Sequence, residues 1–217
     1  MEPKLGIQRR MNIKDREYNW GARTYVMGIV NVTPDSFSGD GLMGRETEAL
    51  EKSISFAEHG ADFIDVGAES TRPNHIPITE AEEIDRIIDI IQKIAVKVDI
   101  PVSVDTYKPE VARLSVEAGA SMINDVWGFK RDPDMVRLAA DSKVPVILMH
   151  NQDHLRYDDL VPDVIGMLSR MRDGAVTAGI APENIILDPD NKKIMMLYDS
   201  MSWSEPTDKS KTIERFF

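Results

Sequence analysis

Most of the short apolar runs in this 217-residue sequence end in, or are followed directly by, a polar residue. Asn31 lies in the run that begins at Tyr25, and Asp105 and Asn124 close two later runs. The other residues at such positions are Asp65 with the segment to Arg72, Asp125, Met149, His150 and Asp188. A carboxylate accepts paired hydrogen bonds, and a carboxamide both donates and accepts. Such a set suits a neutral planar heterocycle that offers N–H donors and ring-nitrogen acceptors.

A polar residue at the end of a strand also has a simpler role, because it often caps the helix that follows. For any one of these residues, capping is as good an interpretation as a ligand contact. A shared site is favoured only if the runs are strands whose ends meet at one rim. The elements that carry the residues therefore decide between the two interpretations.

Short β-rich runs alternate with longer helical patterns along the chain. Six strands are predicted at Tyr25–Val32, Phe63–Val66, Pro101–Val104, Met122–Ile123, Pro145–Met149 and Asn184–Leu187, with a seventh candidate at Ile194–Tyr198. Helices are predicted at Glu46–His59, Thr79–Val96, Pro109–Ala118, Pro133–Ala140 and Leu160–Ala178. The alternation indicates an α/β protein whose parallel strands are joined by right-handed crossovers, as a barrel or as an open doubly wound sheet.

Three glycines end helical patterns just before a strand, and their spacing is regular. Gly60, Gly119 and Gly179 are separated by two strand–helix units each time. This repeat favours a TIM-type (β/α)8 barrel over a sheet whose strand order reverses. A full barrel takes about 250 residues, so we expect one that is incomplete at its C-terminal end, with six to seven strands. We expect a single domain with an N-terminal extension (1–23), a barrel region (24–189) and a divergent segment (190–217).

Composition excludes several classes of partner and chemistry. The net charge of −11 argues against nucleic acid, since phosphate contacts require a basic surface. No apolar run reaches the roughly 20 residues that cross a bilayer, and the N-terminus lacks an export signal. The absence of Cys excludes thiolate metal sites and Cys nucleophiles, and it fits a reducing cytoplasm.

Other polar groups are predicted to be structural. The four histidines have no convincing metal spacing. Thr79 and Glu82 form a capping box at a predicted helix start. The acidic residues there are predicted to form a solvated surface: Glu80, Glu82, Glu83 and Asp85.

Two segments rich in glycine and hydroxyl residues follow predicted strands. Gly28–Gly41 reads GIVNVTPDSFSGDG, and Gly67–Pro73 reads GAESTRP. The second places Arg72 beside Ser70 and Thr71, and a guanidinium beside hydroxyls suits bidentate phosphate binding. Alone, this pattern is a weak signal.

Longer segments make the pattern specific. MGIVNVTPDSFSGDG, GADFIDVGAESTRP and VSVDTYKPEVARLSVEAGASMINDVWG, followed by VPVILMH and AGIAPENIILDP, resemble the signature segments of dihydropteroate synthases in order and spacing. The resemblance covers about Tyr25 to Pro189. It implies a cytoplasmic transferase that condenses 7,8-dihydropterin-6-ylmethyl diphosphate with 4-aminobenzoate, using Mg²⁺, in folate synthesis. It also implies small-molecule substrates, no membrane partner and a homodimer.

The resemblance assigns roles to individual residues at the predicted strand ends. Asp105, Asn124 and Asp188 match residues that hold the pterin ring, and Met149 matches one that packs against it. Asn31 matches the residue that meets Mg²⁺ on the diphosphate.

The loops complete this implied site. Thr71 and Arg72 match positions near the diphosphate, while Pro73 and Phe37 lie where the aminobenzoate is enclosed. Arg72 and Asp105 are the candidate catalytic residues, and Arg72 with Mg²⁺ would offset charge on the departing diphosphate. No covalent nucleophile is required.

The sequence departs from the family pattern after Pro189. The family continues with a Gly-rich loop, a seventh-strand Lys, and Arg and His from the last strand, whereas Asp190–Phe217 offers only Lys209 and Lys211 as faint equivalents of that Lys. We therefore expect impaired condensation and consider a damaged, deleted or frame-shifted end as a hypothesis. One alternative is a non-catalytic pterin-binding or subunit-like protein. Another is a methyltetrahydrofolate methyltransferase-type protein, against which the STRP and NVTPDSF segments argue.

Overall fold

The structure is a computed structural model that describes residues 9–33, 42–69, 77–152 and 156–189. Its strands are β1 (Arg9–Ile13), β2 (Arg16–Trp20), β3 (Met27–Asn31), β4 (Phe63–Gly67), β5 (Val102–Asp105), β6 (Met122–Asp125), β7 (Val146–Met149) and β8 (Ile185–Asp188). Its helices are α1 (Leu42–Glu58), α2 (Glu80–Lys97), α3 (Pro109–Glu117), α4 (Pro133–Ser142) and α5 (Leu160–Thr177), with a 3₁₀ turn at Pro182–Asn184. All predicted elements within the described ranges are present.

Strands β3 to β8 form one parallel sheet in sequential order. Because the strand order never reverses, the doubly wound alternative is wrong and the barrel-type order is confirmed. Among the described residues β3 and β8 each pair with one neighbour, so the barrel is not closed within them. The candidate strand at Ile194–Tyr198 lies outside the described residues.

The two-unit glycine repeat is a structural repeat. Gly60, Gly119 and Gly179 have φ of 91°, 113° and 106°, a region that costs glycine nothing. The Gly60 N–H donates to the Ala57 carbonyl (3.1 Å), and the next N–H donates to the Phe56 carbonyl (2.9 Å). The same pair of bonds forms at the other two glycines, so each helix ends in the same Schellman-type cap before its strand.

The convex face of the sheet packs against the helices and forms the main core. Helix α2 shows how the sequence dictates this, because Ile87, Ile90, Ile91 and Ile94 recur at helical spacing and are buried. Thr79 caps its start as predicted, with the Glu82 N–H donating to the Thr79 hydroxyl, while the Glu82 carboxylate pairs with Arg86. None of the helices in the described ranges is long and apolar enough to cross a bilayer.

Strand alternation turns every second side chain to the concave face. In β3, Val30 belongs to the helix-side core, and a Cβ on Gly28 would lie 2.5 Å from the Phe56 ring of α1. Ile29 and Asn31 therefore face the concave side. Ile29 is 55% exposed there, since β3 has no second partner strand among the described residues.

The antiparallel hairpin β1–β2 covers the concave face at the N-terminal ends of the strands. The interpretation of 1–23 as an extension missed this hairpin. A second apolar cluster packs Met11, Ile13 and Tyr18 against Phe63, Met122 and Ile147. Ring centroids of Tyr18 and Phe63 are 4.7 Å apart. Since β4, β6 and β7 all contribute to one cluster, the sheet curves around the hairpin.

Candidate active site

The C-terminal ends of β3 to β6 bring three predicted site residues and Gly67 into one row. The strand register pairs Asn31 with Gly67, Gly67 with Asp105, and Asp105 with Asn124. Val104 and its equivalents on β3 and β6 lie in the helix-side core, so alternation turns this row to the concave face. The predicted convergence of Asn31, Asp105 and Asn124 at one rim is confirmed.

Strands β7 and β8 extend the row with a second pair. Met149 is in register with Asp188, and the His150 N–H donates to the Asp188 carbonyl (2.8 Å). Leu148 and Leu187 pack with the helix-side core, so Met149 and Asp188 alternate to the concave side. The rim therefore combines two carboxylates, two carboxamides and a thioether, all on strands.

Gly67 allows Asp105 to lie across the neighbouring strand. A Cβ at position 67 would lie 3.2 Å from the Asp105 Cβ and 3.3 Å from its Oδ2. The missing side chain thus leaves space for the carboxylate on the concave face. Any larger residue at Gly67 would displace Asp105.

Asp65 lies one layer deeper than this row; the sequence placed it among the strand-end residues but gave it no role. It is 5% exposed, and its Oδ2 accepts a hydrogen bond from Asn124 Nδ2 at 3.1 Å. Within the described ranges, Asp65 Oδ1 has no hydrogen-bond partner. Burial raises the pKa of Asp65 to about 6, although the Ser103 hydroxyl and the Asn124 carboxamide both act to lower it.

The surroundings of the site disfavour the ionised form of its carboxylates. Burial, together with the neighbouring carboxylates of Asp65, Glu83 and Asp125, raises the pKa of Asp105 well above its ordinary value. A ligand that brings N–H donors or positive charge would stabilise the ionised form. The carboxylates around Asp105 therefore favour the binding of a ligand with N–H donors or positive charge.

One strand-end residue, Asp125, has a structural role, but it does not cap the next helix, since the N-cap of α4 is Asp132. Its side chain accepts backbone hydrogen bonds from Trp127 and Phe129, both at 2.8 Å, and it faces away from the rim. Burial raises the pKa of Asp125 to about 6 even with these bonds. Asp125 therefore shapes the turn after β6.

His150, another strand-end residue, is also buried, with its ring 5.8 Å from that of Tyr157.

A buried ion cluster lies beside the rim, between α2 and the start of α3. Lys108 Nζ donates to Glu69 (2.7 Å), to the Ile78 carbonyl (2.9 Å) and to Glu83. Glu69 also accepts from the Tyr107 hydroxyl (3.0 Å) and the Ile78 N–H (3.2 Å). We call Glu69, Glu83 and Lys108 the acidic clamp. The prediction that Glu83 is solvated is wrong, because the first turn of α2 directs it inward to Lys108.

The charges of the clamp are mutually dependent. Burial alone would raise the pKa of Glu69, but hydrogen bonds from Lys108 and Tyr107 lower it below its ordinary value. Burial raises the pKa of Glu83, and Lys108 only partly offsets this. For Lys108, burial opposes the charge, while the two carboxylates raise its pKa. One ammonium therefore holds two carboxylates in place.

The clamp joins both sides of the segment that carries other predicted site residues. Glu69 precedes residues 70–76 and Ile78 follows them closely, and both contact Lys108. The predicted residues Thr71, Arg72, Pro73 and Phe37 lie outside the described residues.

The metal prediction depends on Asn31. No group of three or more His, Asp or Glu side chains in the described part of the chain could hold a metal ion. Asn31 is exposed at the end of β3. Its carboxamide oxygen suits Mg²⁺ that is held mainly by phosphate oxygens and water, since Mg²⁺ keeps several waters and often takes substrate phosphates as ligands.

Comparisons with known proteins agree with this geometry. The family profile described as pterin binding enzyme matches residues 27–196. A dihydropteroate synthase of Clostridium beijerinckii is 49% identical over 82% of this chain and 66% of its own length. The chain thus spans slightly less than two thirds of that relative.

Solved structures show the same fold. The dihydropteroate synthase of Xanthomonas albilineans with 4-aminobenzoic acid has a TM-score of 0.79 and 42% identity, covering 85% of this chain and 67% of that one. The Clostridium difficile enzyme, solved in the presence of pteroic acid, has a TM-score of 0.78 and 37% identity, covering 83% and 72%.

Proposed function

Because this chain belongs to the dihydropteroate synthase family of pterin-binding enzymes, we propose that it is a transferase that makes 7,8-dihydropteroate in folate biosynthesis. Its substrates are 7,8-dihydropterin-6-ylmethyl diphosphate and 4-aminobenzoate. The observation that carries the proposal is the register of Asp105 with Asn124 and of Met149 with Asp188 on one concave rim.

The rim suits the pterin ring in chemistry and shape. Asp105 and Asp188 accept hydrogen bonds from the N–H groups of an amino-pyrimidinone, and Asn124 supplies a neutral acceptor or donor between them. Met149 offers a polarizable side chain to the ring. Because Asp105 is half-buried near the carboxylate of Asp65, a ligand that donates to it relieves an unfavourable charge.

The same arrangement supports the proposed reaction. The bond between the pterin methylene carbon and the diphosphate oxygen breaks, and the electron pair leaves with diphosphate. The aminobenzoate nitrogen forms the new bond to carbon and then loses a proton. Positive charge develops on the methylene and ring during this exchange, and the carboxylate of Asp105 stabilises it. No covalent enzyme intermediate forms.

The loop residues complete the proposal. Arg72 and Thr71 bind the diphosphate, and Phe37 and Pro73 enclose the aminobenzoate. Asn31 would help to hold Mg²⁺, which neutralises charge on the leaving group when bound. We further propose a homodimer and a cytoplasmic location.

A turnover assay tests the proposal directly. The purified chain is incubated with the dihydropterin diphosphate, Mg²⁺ and labelled 4-aminobenzoate, and labelled dihydropteroate is measured. Product with the unmodified chain and none with Asp105→Asn supports the proposal. Pterin binding without turnover would assign pterin binding alone, and methyl transfer from methyltetrahydrofolate would favour the alternative family activity. If the chain shows no pterin binding and no turnover, the assignment is overturned.

A further inference from the structure

Asp65 occupies an unusual place beneath the rim. It faces the concave side of β4, in register with Ser103 of β5, and is almost fully buried. Phe63, two residues earlier on the same face, packs in the apolar cluster at the hairpin. An apolar residue would fill the Asp65 position at lower cost, since a buried carboxylate is expensive unless it is paired. Packing alone therefore does not account for the carboxylate.

Two side chains stabilise the charge of this carboxylate, the hydroxyl of Ser103 in the same layer and the carboxamide of Asn124 at the rim. Asp65 Oδ2 accepts from Asn124 Nδ2 at 3.1 Å, while Oδ1 has no partner in the described part of the chain. An ionised carboxylate only accepts, so Asn124 must direct its NH₂ toward it. The carboxamide oxygen of Asn124 is then the end that points away from Asp65. Without such a partner, a carboxamide can rotate by half a turn with little change in shape.

We propose that Asp65 is a positioning residue that fixes the carboxamide of Asn124 with its oxygen available to a ligand N–H. The proposal rests on the proposed function, because the ligand is the pterin ring. Asp65 acts through Asn124 and does not touch the ring itself. The bond makes Asn124 a dedicated acceptor, so the site discriminates between ring edges that donate and ring edges that accept at that position.

A binding cycle tests whether Asp65 acts through Asn124. The full chain is titrated with 6-hydroxymethylpterin at about pH 8, where Asp65 is ionised, and pterin fluorescence is followed. Asp65→Ala should weaken binding about tenfold, the effect typical of a lost charged hydrogen bond, and Asp65→Asn less. In an Asn124→Ala background, Asp65→Ala should change binding by less than about twofold, because coupled residues are not additive.

Ser115→Ala is the matched control, since it removes a buried hydroxyl that, like Asp65 Oδ1, has no hydrogen-bond partner in the described residues, but it lies on α3 and not beside Asp65. It should change pterin binding by less than about twofold, because the Asp65–Asn124 bond is kept. Equal tenfold losses in both Asn124 backgrounds would overturn the proposal, since Asp65 would then act independently of Asn124. Asp65→Asn preserves the side-chain volume, so it replaces Asp65→Ala in the binding cycle if Asp65→Ala does not fold.

A second measurement needs no ligand. In ¹H–¹⁵N spectra, the side-chain NH₂ signals of Asn124 are assigned by their loss in Asn124→Asp. They should shift strongly in Asp65→Asn and little in Ser115→Ala; unchanged signals in Asp65→Asn would refute the hydrogen bond. If the unmodified chain does not bind 6-hydroxymethylpterin, the proposed function fails, while this spectrum still decides whether Asp65 orients Asn124.

Discussion

The concave face of the sheet has two ends built from the same strands but with opposite chemistry. At the N-terminal ends, Phe63, Met122 and Ile147 pack on the aromatic hairpin. Two residues further along β4 and β6, Asp65 and Asn124 form a partly buried polar pair. Along these two strands, a shift of two positions changes the face from apolar packing to polar contacts.

This difference separates stability from binding along one surface. The apolar end gains free energy from burial, which increases with the area removed from water. The polar end places carboxylates where burial disfavours their charge, as the raised pKa values of Asp65 and Asp105 indicate. Strain of this kind is typical of sites that bind a ligand. Substitutions at the two ends should therefore have separable effects.

The largest effect is expected at the apolar end. Phe63 is 3% exposed and contacts the rings of Tyr18, Trp20 and Tyr25. Phe63→Ala should lower the free energy of unfolding by about 3–5 kcal/mol, because it removes this contact area and leaves a cavity. Urea denaturation measures the loss, and Phe63→Leu should lose clearly less. A loss below about 1 kcal/mol would show that the hairpin does not pack here.

The acidic clamp is the exception at the rim, because its polar groups are structural. Lys108→Met should destabilise the chain by about 3 kcal/mol, since it leaves Glu69 and Glu83 buried without their cation. Adding Glu83→Gln should restore part of the loss by removing one of the two charges. Thermal or urea unfolding checks both variants. If Lys108→Met were as stable as the original, the clamp would not bear on the fold.

Asp105→Asn should weaken ligand binding without lowering the stability of the chain. Binding of 6-hydroxymethylpterin should weaken about a hundredfold, equivalent to about 3 kcal/mol, since a charged acceptor for the ring is lost. Stability at neutral pH should be unchanged or higher, because a half-buried carboxylate with a raised pKa is removed. Fluorescence titration and urea unfolding measure the two quantities. A variant that is less stable but binds normally would reverse the comparison.

Most of the fold was predictable from the sequence, because hydrophobic periodicity and the residues that start and end helices are local signals. The N-cap at Thr79 and the glycines at Gly60, Gly119 and Gly179 lie where helix termini require them. The convergence of Asn31, Asp105 and Asn124 followed from parallel strands ending at one rim.

The errors concern residues whose surroundings come from distant segments. Glu83 stands among exposed acidic neighbours, and only its tertiary contact with Lys108 buries it. The hairpin had a signal, since apolar residues alternate at Met11, Ile13 and Tyr18 around a short turn with Lys14 at positive φ. Asp65 lies inside a five-residue strand of buried residues. Its alternation with Phe63 places it on the concave face, but only the register shows that Asn124 meets it.

The smallest predicted effect concerns pH, and it tests whether the polar end is strained. Asp65 has a pKa of about 6 in the folded chain, against an ordinary value of 3.8. Between these values the folded state holds more protons than the unfolded state, so the free energy of unfolding falls as pH rises. From pH 5 to pH 7, Asp65 alone should account for a fall of about 1 kcal/mol. Asp105 contributes in the same direction.

Urea unfolding at a series of pH values measures this dependence. Asp65→Asn should flatten the curve by about 1 kcal/mol over that range, and more if Asp105 titrates lower once its neighbour is neutral. Phe63→Leu, at the apolar end, should shift the whole curve downward without changing its slope, because no titratable group is altered. Parallel curves for Asp65→Asn and the original chain would mean that Asp65 ionises as easily folded as unfolded. The carboxylate would then carry no burial cost, and the two ends of the concave face would not differ in the way that their packing indicates.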